Sequence, residues 1–179
     1  MGAIASIVQS TLVLPDMQLK IEQQQTAVKL NVIPPEYRNV TLPGHDVYVE
    51  KGDFGIMISQ WLRWPEYSIC ACHFDFKEES WVEMQISECC TAFLESMEGT
   101  PLMFTPGGSM PIVVQIREME MTEITFNEVT SAFRLHYAAG FYVSLHICVP
   151  HRHMYLLKDT DWVFQKLEEY GKMIYHNKY

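Results

Sequence analysis

From residue 46 onward, apolar and polar residues alternate in short runs separated by turn-forming residues. Alternation puts successive side chains on opposite faces of an extended chain, so these runs predict β-strands. The spacing predicts strands near 46–51, 54–63, 67–76, 81–86, 88–97, 101–105, 110–116, 119–126, 130–138 and 141–149. The punctuation is Gly52-Asp53, Trp64-Pro65, Lys77-Glu78-Glu79, Gly99-Thr100-Pro101, Pro106-Gly107-Gly108 and Ala139-Gly140. Short strands with no helices between them argue for an antiparallel sandwich or barrel. Pro150 closes the last run because it has no N–H to give a ladder. Beyond it the apolar step changes to three and four: Leu156, Leu157, Val163, Phe164, Leu167, Tyr170, Gly171 and Ile174 fall on one helical face. Asp159 or Thr160 in "KDTDW" caps its start. Residues 1–45 keep neither period, and Pro34, Pro35, Pro43 and Gly44 make them an extended, turn-rich lead-in. The expected organisation is therefore lead-in 1–45, β-barrel 46–149 and helical segment 150–179.

Composition narrows the function more than the fold. The chain has 179 residues, 48% of them apolar, enough for one domain with a real core. Its net charge is −9, with Lys and Arg scattered, so direct binding to DNA or RNA phosphates is not expected. No apolar run reaches the roughly 18 residues of a membrane span. The start, "MGAIASIVQSTLVLP", lacks the flank and cleavage site of a secretory signal, and Gly2 and Ser6 fit only the short myristoylation pattern. Five cysteines, an odd number and without a C-x-x-C, fit free thiols in a reducing cytoplasm. Cys70 and Cys72 share a strand face and read as small packed hydrophobes.

Candidate chemistry is sparse. Gly140, His146, Cys148 and His153 stand at the spacing of a damaged metal-cupin pattern, with Cys148 in place of its second His and His153 in place of its Glu. Pro150 interrupts it and its other half is missing, so His146, His151 and His153 read as a polar corner, the strand His facing solvent or a partner. A metal cage at these three histidines is the runner-up. "TPGGSM" is a hairpin loop rather than a phosphate cradle, and the carboxylates of "REMEMTE" alternate with methionines as on a strand with one wet face. No nucleophile signature occurs, so neither catalysis nor a cofactor is expected. What remains is a barrel interior able to hold a small molecule, with Trp61, Tyr67, His73, Phe93, Phe133 and Tyr137 as candidate lining.

Two stretches carry a resemblance. "LPGHDVYVEKGDFGIMISQWLRWPEYSICACHFDF", with Gly55, Met57, Ile58, Gln60 and Leu62 and then Tyr67, Ser68 and Ile69, is similar to the opening of the ligand-sensing domain of AraC-type bacterial transcription regulators. "FYVSLHICVPHRHMYLLKDTDWVFQKLEEY" resembles the part where that domain's last strand runs into its helices. The resemblance implies a mainly β, cupin-like antiparallel jelly-roll barrel with one or two C-terminal α-helices. It also implies a small-molecule effector, homodimerisation through those helices, and DNA contact by a separate helix-turn-helix region, of which no basic recognition helix is seen before Tyr179. The helical stripe then supplies the dimer interface: Leu157, Val163, Phe164, Leu167, Tyr170 and Ile174. The alternatives are a stand-alone metal-dependent cupin enzyme and a non-enzymatic small-molecule-binding barrel.

Overall fold

The computed structural model describes residues 17–21, 28–30, 32–40, 42, 46–105, 112–126 and 132–178. In chain order its strands are β1 Met17–Ile21, β2 Val28–Leu30, β3 Asp46–Gly52, β4 Gly55–Arg63, β5 Ser68–Phe76 and β6 Ser80–Ile86. They continue with β7 Cys90–Glu98, β8 Leu102–Thr105, β9 Ile112–Gln115, β10 Met121–Phe126, β11 Ala132–Tyr137 and β12 Gly140–Pro150. A 3-10 helix covers Pro35–Val40, a second covers His151–Lys158, and α1 runs from Asp161 to Lys178.

Two antiparallel sheets face each other, ordered β1-β6-β11-β8-β9 and β10-β7-β12-β5-β4-β3-β2. Four pairs nest inside one another: β5 with β12, β6 with β11, β7 with β10 and β8 with β9. A long hairpin of nested pairs, rolled so that alternate pairs fall in opposite sheets, is a jelly roll. The fold expected from the strand spacing is therefore present, with strand ends displaced by only a residue or two in most cases. The lead-in is more than a tether: β1 pairs with β6 and β2 with β3, so it adds a strand to each sheet.

Three apolar clusters hold these layers. Between the sheets lie Trp61, Phe74, Phe76, Val82, Met84, Leu94, Ile124, Phe126, Phe133, Leu135 and Tyr137, with four cysteines among them. On the outer side of the larger sheet, Ile69, Ala71, Phe93, Met97, Val143, Leu145, Ile147 and Val149 meet Val163, Leu167, Tyr170 and Ile174 of α1. A third cluster joins Val49, Ile56 and Ile58 to Ile33 beside the first 3-10 helix. The central strands β5 and β12 are thus covered on both faces, and residues 143–150 are all buried. A doubly covered strand loses the in-out contrast that alternation normally reports.

The start of α1 follows the capping expectation. The Asp159 carboxylate accepts a 3.0 Å hydrogen bond from the Asp161 N–H, and the Thr160 carbonyl accepts from Val163. Trp162 Nε1–H donates to the Leu156 carbonyl at 2.8 Å, tying the second 3-10 helix to α1. The Trp162 ring also packs 5.0 Å from Tyr67, which stacks on Trp64 at 4.7 Å, so the helix is clamped to the sheet at its first turn.

Candidate functional site

Two places in this fold concentrate chemistry, one inside the barrel and one beneath α1. The inner face of β12 presents Ser144, His146 and Cys148, because the odd positions Val143, Leu145 and Ile147 are consumed by the helix side. This reverses the expectation of a strand histidine facing solvent: His146 is 1% exposed. Its cross-strand neighbour is Cys70, and that of Ser144 is Cys72. Ser144 Oγ lies 2.8 Å from His146 Nε2, and the Cys70 and Cys72 sulfurs are 3.4 Å apart. His146 Nδ1 is buried and has no hydrogen-bond partner among the described residues.

Burial opposes ionisation of the Cys72 thiol. Hydrogen bonding from Cys70, the charge of His146, and further hydrogen bonds from His146 and Ser144 outweigh it and bring Cys72 down to about 6. Cys70, desolvated and hydrogen-bonded to Cys72, is pushed far above the ordinary thiol range. Cys90 is raised as well, first through its hydrogen bond with Cys148 and then by burial. A Cys72 thiol lowered in this way, hydrogen-bonded to Cys70 beside an imidazole and a hydroxyl, has the surroundings of a soft nucleophile held out of bulk water.

These donors do not suit the metal that jelly rolls of the cupin kind commonly carry. His146 Nε2 is engaged by Ser144, and the free Cys70 and Cys72 thiols share a hydrogen bond. Among the described residues no three His, Cys, Asp or Glu side chains come together to hold an ion. His151 is exposed in the second 3-10 helix, and the His153 Nε2 accepts from Arg152 Nε at 3.2 Å with its ring against Tyr155. The runner-up set His146, His151 and His153 is therefore divided between barrel interior and surface.

The second place is a cleft of about 460 Å³ between α1 and the outer sheet face, lined by Glu95 and Met97 of β7, Met119 and Met121, and Phe164, Leu167, Glu168, Gly171 and Lys172 of α1. Its volume lies within the roughly 300–1,000 Å³ of small-molecule pockets. Gly171 permits the close approach of helix and sheet: a Cβ there would stand 2.8 Å from Met97 Cε. At the mouth, Met119 holds a positive φ of 60°, a conformation costly for a side chain of its kind. It is kept there by its N–H, which donates to the Ser96 carbonyl at 2.7 Å, while the neighbouring Glu118 carboxylate accepts from the Gly99 N–H at 2.7 Å. Glu168 and Lys172 pair with each other, whereas Glu95 has no ion-pair partner among the described residues. Desolvation raises the Glu95 carboxyl above its ordinary value.

The six residues expected to line one pocket do not converge. Trp61, Phe133 and Tyr137 point into the barrel, where Tyr137 packs 4.9 Å from Phe74 and 5.2 Å from Phe76. Phe93 lies beneath α1, and His73 pairs across the sheet with Ile58 and Val143, both on the outer face. Tyr67 belongs to the tryptophan clamp. The expected dimer stripe is divided too. Val163, Leu167, Tyr170 and Ile174 are buried on the chain's own sheet, and Leu157 is half-buried beside them. Phe164 is 49% exposed at the cleft. Sequence reasoning missed Glu95, Met97, Met119 and Met121. The alternation of "REMEMTE" signalled a two-faced segment, but nothing local told that a helix roofs its apolar side.

No family model and no curated protein matches this chain. Solved structures do. Hydroxypropylphosphonic acid epoxidase from S. wedmorenis is 11% identical with a TM-score of 0.42, the match covering 60% of this chain and 57% of that one. Ectoine synthase from P. lautus is 13% identical with a TM-score of 0.39, covering 52% and 64%. A cupin domain from Bordetella pertussis is 12% identical with a TM-score of 0.39, covering 52% and 92%. The chain spans less than two thirds of the epoxidase and synthase, and identities this low speak to the fold alone. That fold is a cupin-like jelly roll. The expectation that the chain is not an enzyme is withdrawn, because an epoxidase and a synthase stand among these structural neighbours. No described helix is long and apolar enough to cross a membrane.

Proposed function

We propose that this chain is an effector-binding domain of the AraC-type regulator kind, in which a small molecule in the cleft beneath α1 biases the packing of that helix. The observation that carries the reading is the shared wall of the cleft: five of its nine lining residues, Phe164, Leu167, Glu168, Gly171 and Lys172, belong to α1. A guest there touches the helix directly, so its affinity differs between docked and displaced helix, which is what coupling requires. The resemblance of the "LPGHDVYVEKGDFGIMISQWLRWPEYSICACHFDF" stretch to such sensing domains supports it, as does the net charge of −9, which leaves phosphate contact to another module.

Pairing of two copies belongs to the same proposal. With four residues of the stripe committed to the sheet, a second copy would use Met154 and Tyr155 of the second 3-10 helix together with Phe164 and Met173, all exposed. Sedimentation velocity tests this on wild type and Tyr155→Asp. The expected result is a dimer for wild type and a folded monomer for the variant. A wild-type monomer at high concentration removes the pairing, and with it the route by which α1 would pass a signal on.

The Cys70, Cys72, Ser144 and His146 cluster favours a second reading, thiol chemistry inside the barrel. Wild type that consumes an alkylating or oxidising small molecule at Cys72 much faster than unfolded chain does supports it. Complete protection of Cys72 in the folded protein removes it.

A further inference from the structure

The cleft beneath α1 has a chemistry of its own, and the following assignment rests on the proposal that the cleft is the effector site. Its walls are apolar and soft. Met97, Met119 and Met121 present thioethers on flexible stems, which adapt to irregular guests, and Phe164 and Leu167 close the helix side. Three charged groups border it. The Glu168 carboxylate and Lys172 ammonium neutralise one another across one turn of α1. That leaves Glu95, half-buried on β7, as the cleft's unbalanced charge among the described residues. A carboxylate that has lost part of its hydration without gaining a cation is costly, and a guest bringing a positive charge would relieve that cost.

We infer that the cleft binds a lipophilic monocation, an organic ammonium or phosphonium whose charge sits on Glu95 and whose hydrocarbon body lies among Met97, Met119, Met121 and Phe164. Phe164, exposed at the cleft, supplies an aromatic ring with which a cation there can interact. The raised Glu95 carboxyl agrees with this, since it records desolvation with no compensating cation. The negative net charge of the whole chain steers cations toward the surface and repels organic anions of similar shape.

Tetraphenylphosphonium and tetraphenylborate are nearly isosteric ions of opposite sign, so calorimetric titration of each against the full chain separates charge from shape. Saturable binding of the phosphonium, at least about tenfold tighter than the borate, is expected; tenfold corresponds to about 1.4 kcal/mol. Glu95→Gln should weaken the phosphonium about tenfold and bring the two ions close together. Phe164→Ala, at an exposed position that leaves the core intact, should weaken both by several-fold. Equal affinity for both ions, an unchanged Glu95→Gln, or no saturable phosphonium binding overturns the assignment. Sedimentation of the same samples keeps the two ideas apart. A phosphonium that binds through Glu95 without changing the mass or shape of the particle leaves the site standing and sinks only the transmission through α1.

Discussion

Cys72 and Glu95 are ionisable residues displaced in opposite senses, each with a measurable outcome. Cys72 is brought from an ordinary 9.0 to about 6, so its thiolate should appear in ultraviolet absorbance near 240 nm with a midpoint about 6. Cys72→Ser should abolish that step, and His146→Ala should move it upward by removing a lowering charge. A midpoint that stays near 9 in wild type would show that the cluster does not ionise. Glu95 is raised, so the folded protein takes up the proton more readily than the unfolded chain. Stability from this group is fully present below the ordinary 4.5 and is lost as pH climbs through the folded value. Glu95→Gln removes that loss. The variant should therefore melt at a higher temperature than wild type near neutrality, and the gap should close in acid below about 4.5. Neither displacement was legible in the sequence, because each depends on what a distant strand or helix places overhead.

At the level of elements, two glycines at which an added Cβ would press on a neighbour should respond in contrary ways. Gly55 opens β4 with φ at 125°, and an added Cβ would lie 1.9 Å from the Asp75 carbonyl oxygen, a backbone atom that cannot step aside. Gly55→Ala should cost several kcal/mol, about the size of the large core effects, and be read as a fall in the denaturant midpoint. Gly171 sits in α1 with ordinary helical backbone, and its added Cβ meets only the tip of Met97. The tip can swing into the cleft, and Ala favours a helix over Gly by about 1 kcal/mol, so Gly171→Ala should hold or raise stability while shrinking the cleft. Leu167→Ala, by contrast, removes a buried anchor and should cost about 2–5 kcal/mol. The strands and α1 were legible because their periods of two and of three-to-four survive in the sequence. Which face of β5 and β12 looked inward was not. With both sides covered, alternation cannot tell them apart: the apolar Val143, Leu145 and Ile147 form the helix side, and Ser144, His146 and Cys148 line the barrel.

Across the whole molecule, the jelly roll follows from many short strands without intervening helices, and the sequence carried that much plainly. The places where function concentrates did not follow, because they arise between elements: β12 against β5 in the barrel, α1 against β7 in the cleft. A list of aromatic residues drawn from single strands mixes both sides of a wall, as Trp61 inside and Phe93 outside illustrate. The nested pairing has a temporal consequence as well. The innermost pair, β8 with β9, is short-range, whereas β12 must insert between β5 and β7, laid down some seventy residues earlier for β5. A nascent chain emerging from the ribosome leaves the border between β5 and β7 unzipped until β12 is released, and only then can the seam shut.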